Sequence, residues 1–214
     1  METASFSLLE LFKLGGIIMW PLLLFSVAAV AITIERAVFF LNHNLEIDDL
    51  SLNVSEYIDK KDFSGACEYL SELTEKRMGA RVLLALVRQK IPGKPFSEHN
   101  AEKNVQTQAM KCINSLESGF NFLTALGSLS PLTGFLGTVT GMIGAFRSIA
   151  EATEVNAQIV ANGIYEALIT TVFGLVIAII AMISHSIFSH FTEKFASKIE
   201  GVCTGLIVKM SETE

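Results

Sequence analysis

The chain has 214 residues, half of them hydrophobic. Only 18% are charged, against roughly 25% in an ordinary soluble protein, and the net charge of −6 leaves no basic surface for nucleic-acid phosphates. Cys67, Cys112 and Cys203 stand singly, and His43, His99, His185 and His190 form no ligand motif. A metal centre, a bound cofactor and an enzymatic nucleophile–base pair are therefore not expected, and the class indicated is a membrane protein.

Taken in chain order, "FSLLELFKL" (Phe6 to Leu14) places Phe6, Leu9 and Phe12 at helical spacing, with Lys13 beside them. This predicts a short interfacial helix. Next, Leu14 to Ile34 is an uncharged run of 21 residues. As a helix it reaches about 31 Å, the thickness of a bilayer's hydrocarbon core. Pro21 lies near its start, where a missing N–H does least harm. A cleaved signal peptide is not expected, because Glu2 and Glu10 precede the run with Lys13 as the one base.

The middle segment reads as helices. "VSEYIDKKDFSGACEYLSELTEKR" has apolar positions at intervals of three and four, and "GARVLLALVRQK" forms another set, ended by the prolines of "IPGKP". From Ser97 the pattern resumes and predicts one continuous helix running into the second uncharged run, Ser118 to Phe146. A third uncharged run spans Ala167 to Thr192.

The bases set the orientation. Ten Lys and Arg residues lie between Lys60 and Lys111, Arg36 follows the first span, and Lys194, Lys198 and Lys209 follow the third. Arg147 alone lies between spans two and three. The middle segment and C-terminus are thus expected in the cytoplasm and the N-terminus on the opposite side. The expected architecture is all-α: three transmembrane helices, with long helices extending into a cytoplasmic helical bundle. Its segments are an interfacial helix (1–13), a first span (14–41), cytoplasmic helices (42–117), a second span (118–147), an outer loop (148–161), a third span (162–190) and a cytoplasmic tail (191–214).

Small residues form stripes along spans two and three. One is Gly127, Pro131, Gly134, Thr138, Gly141, Ala145 and Ser148; a second is Ser130, Thr133, Gly137, Thr140 and Gly144. Span three carries Gly163, Ala167, Thr170, Gly174, Ala178 and Ala181. Lipid does not require small residues, but close helix contact does. The stripes are expected as subunit contacts or lumen-facing surfaces, with span one outside them. Glu166 opens span three, about 40° around the helix from Thr170. Two readings stay open for it: an interfacial glutamate that reaches water, or a carboxylate on a water-lined face of an oligomer. No Asp, Lys or Arg lies within the three runs, so a proton path would need a carrier from another subunit.

"SPLTGFLGTVTGMIGAF", "GIYEALITTVFGLVIAIIA" and "MWPLLLFSVAAVAITIERAVFF" together resemble the motifs of the MotA/TolQ/ExbB proton-channel family over nearly the whole chain. Ile180 departs from the family's usual proline, and Thr140 stands where many members carry a bulkier residue. The resemblance implies a homopentamer in the Gram-negative inner membrane. It implies a partner dimer of an ExbD/TolR-like single-span subunit whose membrane aspartate carries protons, a TonB-like or TolA-like protein beyond it, and lipid around the assembly. It further implies that Thr138, Glu166, Thr171 and Thr170 belong to the proton pathway, that Pro131 shapes the second helix, and that Gly134, Gly137, Gly141, Gly163 and Gly174 serve packing. The function implied is use of the proton motive force to energise TonB-dependent outer-membrane transport. A TolQ-like role in envelope integrity is the near alternative, and a non-conducting membrane scaffold is the alternative of another class.

Overall fold

The computed structural model describes residues 8–90, 96–151 and 157–212. Phe6 of the interfacial helix, the "IPGKP" breaker and residues 152–156 of the outer loop lie outside them. Among the described residues the chain is all-helical: α1 (Leu8–Leu14), α2 (Met19–Asn42), α3 (Asp48–Asp59), α4 (Phe63–Leu73), α5 (Met78–Val87), α6 (Glu98–Leu116), α7 (Phe120–Glu151) and α8 (Ala157–Glu212). Three helical stretches among these residues are long and apolar enough to cross a bilayer, and each overlaps one of the three uncharged runs.

The residues divide into two compact units. The first holds the described residues up to Glu35 together with Gly119–Ser186. Here α2 starts at Met19 rather than at Leu14, because Gly16 turns the chain with φ +67, a conformation that costs glycine nothing sterically. Pro21 falls in the first turn of α2, whose N–H groups have no helical acceptor anyway. Further on, α7 runs through Pro131 without a break. Many outward-facing side chains of this unit are large and apolar; Trp20, Phe122 and Phe135 are each more than 60% exposed. That pattern suits lipid and not water.

Within this unit α7 and α8 pack antiparallel along the small-residue stripes. A Cβ on Gly174 would lie 2.5 Å from the Ser130 carbonyl oxygen and 3.2 Å from Gly134 Cα. One on Gly134 would lie 2.8 Å from the Thr170 carbonyl oxygen, and one on Gly141 3.2 Å from that of Gly163. At the far ends Gly163 meets Ala145, and Gly127 faces Met182. The contact expected between subunits or toward a lumen is thus made, for the Gly134–Gly141 stripe, inside one protomer. Helix α2 joins through polar contact: Thr33 Oγ1 donates to Ser184 Oγ at 3.1 Å, and Ser184 Oγ donates to the Ile180 carbonyl at 2.8 Å. Ile180 itself is helical.

The second unit holds Arg36–Ser118 and the described part of Ile187–Glu214. Its core is apolar, built on residues such as Leu50, Ile58, Leu70, Leu83, Leu116 and Phe195. Asp62 caps α4 by accepting from the Gly65 N–H at 2.9 Å, and Ser97 caps α6 by accepting from Asn100. Lys198 pairs with Asp48 at 2.5 Å and Lys209 with Asp59 at 2.6 Å. Exposed pairs of this kind each contribute about 0–1 kcal/mol, so the apolar core decides stability.

The continuous helix expected from Ser97 onward is interrupted. Helix α6 ends at Leu116, α7 begins at Phe120, and Gly119 takes φ +85. The end of α6 is secured by Arg36, which is 6% exposed and donates from Nη1 to the Ser115 carbonyl at 3.0 Å, its guanidinium 4.8 Å from the Phe39 ring centroid. A cation on the last carbonyls satisfies groups that the helix itself leaves unbonded.

Burial raises the pKa of all three thiols, and that of Cys203 to about 12. The thiolate is the reactive form, so at pH 8 a Cys203 thiol is ionised in roughly one molecule in 10⁴. Alkylation by iodoacetamide, followed by peptide mass spectrometry, should therefore modify Cys67 first and Cys203 last in the folded protein. In denaturant the three rates should converge.

Candidate functional site

The polar groups of the first unit follow from the α7–α8 contact. Because glycines let the two backbones approach, hydroxyls on α8 reach carbonyls on α7. Thr170 is 1% exposed; its Oγ1 donates to the Ala167 carbonyl at 2.8 Å and lies 3.3 Å from the Gly134 carbonyl oxygen. Thr171, the next residue, is half-buried and also donates to the Gly134 carbonyl at 3.3 Å. Thr138, one helical turn beyond Gly134 on α7, is half-buried and donates to the Phe135 carbonyl at 2.7 Å. Thr170 therefore lies within the helix–helix contact, whereas Thr171 and Thr138 are each partly exposed.

Gly137 explains the depth of Thr170, since a Cβ there would collide with the threonine side chain. Ser130 is fully buried and donates to the Leu126 carbonyl at 2.6 Å. Each of these hydroxyls bonds a backbone carbonyl one turn away or across the seam, the arrangement that keeps polar groups satisfied in a lipid setting.

A second polar feature lies at the N-terminal end of α8. A cleft of about 680 Å3 is lined by Leu14, Ile17 and Ile18 from the α1–α2 turn, by Thr140, Gly144 and Ser148 from α7, and by Asn162, Tyr165 and Glu166 from α8. Glu166 is half-buried, with its carboxylate against the backbone of Gly16. Gly144 has nothing within 4 Å of where a Cβ would stand, so that side of the cleft is open. Thr138 and Thr171 are not among the residues that line it, so the hydroxyls and the carboxylate are separate polar features.

The contribution of the α1–α2 turn was not foreseen from sequence. Its signal is the Gly15–Gly16 pair just ahead of Trp20–Pro21. Among the described residues no three His, Cys, Asp or Glu side chains gather as a metal site. Chemically, the cleft offers one ionisable carboxylate beside hydroxyl and amide groups, in an otherwise apolar bundle.

Residues 74–201 match the sequence profile of the MotA/TolQ/ExbB proton channel family. The chain is 35% identical to the putative biopolymer transport protein ExbB-like 3 of Synechocystis sp., over 85% of each chain. It is 29% identical to the biopolymer transport protein exbB1 of Vibrio cholerae, over 91% of this chain and 84% of that one. It is also 29% identical to the Tol-Pal system protein TolQ of Haemophilus influenzae, over 86% of this chain and 85% of that one.

Proposed function

The chain belongs to the MotA/TolQ/ExbB proton channel family, and on that premise we propose that it is the three-span subunit of an inner-membrane motor that couples proton flow to work at the outer membrane. The observation that supports this reading is that Thr138 and Thr171 are half-buried hydroxyls on an apolar helix pair, and that Glu166 lines a cleft at the N-terminal end of α8. A purely structural bundle has no need of a carboxylate there, and a charge near hydrocarbon costs up to about 3 kcal/mol.

In the proposed assembly five copies surround a dimer of an ExbD/TolR-like single-span partner. The partner's aspartate supplies a carboxylate deep in the membrane, which the three uncharged runs do not contain. Ionised, it needs polar contacts, which Thr138 and Thr171 offer; protonated, it can pass the apolar wall between them. Glu166 serves the outer mouth of the path, while Thr170, the five packing glycines and Pro131 shape the helices. The distribution of Lys and Arg favours a periplasmic N-terminus and a cytoplasmic C-terminus. The similarity to relatives named as biopolymer transport proteins favours a TonB-like protein as the driven component. The similarity to a TolQ supports a second assignment, with a TolA-like protein in that place.

Thr171→Val tests the reading, because it keeps the side-chain volume and removes the hydroxyl. With its partner co-expressed, the parent chain should restore energy-dependent uptake to cells lacking their own ExbB-type subunit. Thr171→Val should accumulate and assemble normally yet lose that uptake. Full uptake by the variant would leave Thr171 a packing residue. Restoration of detergent resistance in cells lacking TolQ, without restored uptake, would select the second assignment. Neither restoration, with assembly intact, would favour a non-conducting scaffold.

A further inference from the structure

The α1–α2 turn is fixed from both sides. The Gly15 N–H donates to the Leu11 carbonyl at 3.1 Å and the Met19 N–H to the Gly16 carbonyl at 3.3 Å. Across the turn, the rings of Phe12 and Trp20 meet edge to face with centroids 5.4 Å apart. Gly16 therefore presents a bare, anchored stretch of backbone. A Cβ built on Gly16 would collide with the Glu166 carboxylate, and its three nearest atoms all belong to Glu166. Gly15, by contrast, faces Met19 and Ile169. The glycine at 16 thus answers two demands, a positive φ and room for one particular carboxylate.

We infer that Gly16 is a positioning residue for Glu166: the α1–α2 turn is a backbone shelf that holds the Glu166 carboxylate in the cleft. A glutamate near a membrane interface otherwise swings its charged end out to bulk water. Holding it against an anchored turn removes that freedom. The consequence for ion flow rests on the proposed role of Glu166, but the contact itself can be tested without measuring flow.

The readout is modification of carboxyl groups by dicyclohexylcarbodiimide in the assembled full-length protein, quantified by peptide mass spectrometry. Glu151, exposed and paired with Arg147, serves as the internal reference. Gly16→Ala and Gly16→Asn should both displace the carboxylate from the shelf and raise Glu166 labelling severalfold relative to Glu151. Asparagine tolerates positive φ far better than alanine does. Labelling raised by alanine but normal with asparagine would reduce Gly16 to a backbone requirement and overturn the inference, as would unchanged labelling in both. Should either variant fail to accumulate, Gly16→Asn with Glu166→Ala decides, because asparagine tolerates the positive φ. Removing the glutamate's outer atoms clears the space, so the pair should accumulate, and its failure would equally overturn the inference. A parent complex that carries no proton flux yet shows this labelling pattern supports the shelf and removes only the ion-path role of Glu166.

Discussion

Gly174→Leu is expected to abolish accumulation of the folded three-span unit. The atoms that a side chain at 174 would meet are backbone: the Ser130 carbonyl oxygen at 2.5 Å and Gly134 Cα at 3.2 Å from the added Cβ. Backbone atoms cannot rotate aside, so α7 and α8 must separate along the seam. Overpacking of a close contact costs about 1–3 kcal/mol and occasionally more; here separation also loses the bonds that Thr170 and Thr171 make to Gly134. Gly134→Leu should behave alike. Gly144→Leu, where nothing lies within 4 Å, should leave the fold of the protomer intact. Thermal unfolding in detergent and native mass spectrometry separate these outcomes. Stable, assembled Gly174→Leu protein would contradict the seam.

The second large effect is expected from Glu166→Gln. The amide matches the carboxylate in shape and keeps a hydrogen-bonding head, but it cannot take up or release a proton. Gly16 should still accommodate it, so assembly should persist. A positioned proton-transferring side chain typically contributes about 10²–10⁴-fold to rate. Loss of proton flux by about a hundredfold is therefore expected in the complex with its single-span partner. Near-parental flux would return Glu166 to the reading of an interfacial glutamate that merely reaches water.

The three spans were legible because long uncharged runs leave a helix few places but a bilayer. Close approach was legible too at Gly134, Gly137, Gly141, Gly163 and Gly174, although Gly144 on the same stripes is open. What spacing could not say is which helix approaches: a glycine stripe reads the same whether it meets the same chain or a neighbour. Thr170 and Thr171 show this at the level of single residues. They are neighbours of identical chemistry, and only the packing of α7 sends one into the seam and leaves the other at its edge. The break at 117–119 escaped the periodicity, since a lone glycine in a helical pattern does not announce a positive φ. The contact of Gly16 with Glu166 joins positions 150 residues apart and depends on the backbone of a turn, where apolar periodicity carries no information.

The central claim is that this chain, with its partner, forms a path for protons. Flux into sealed proteoliposomes tests it most directly. The complex co-purified from cells expressing the chain and a single-span partner is reconstituted, a potential is imposed with potassium and valinomycin, and internal pH is followed by a trapped dye. One charge crossing 100 mV gains about 2.3 kcal/mol, ample to drive detectable acidification. The account predicts flux well above that of protein-free vesicles, lost in Glu166→Gln and on replacing the partner's membrane aspartate by asparagine, with the complex intact in each case. Flux no greater than in protein-free vesicles, or flux untouched by both substitutions, would contradict it.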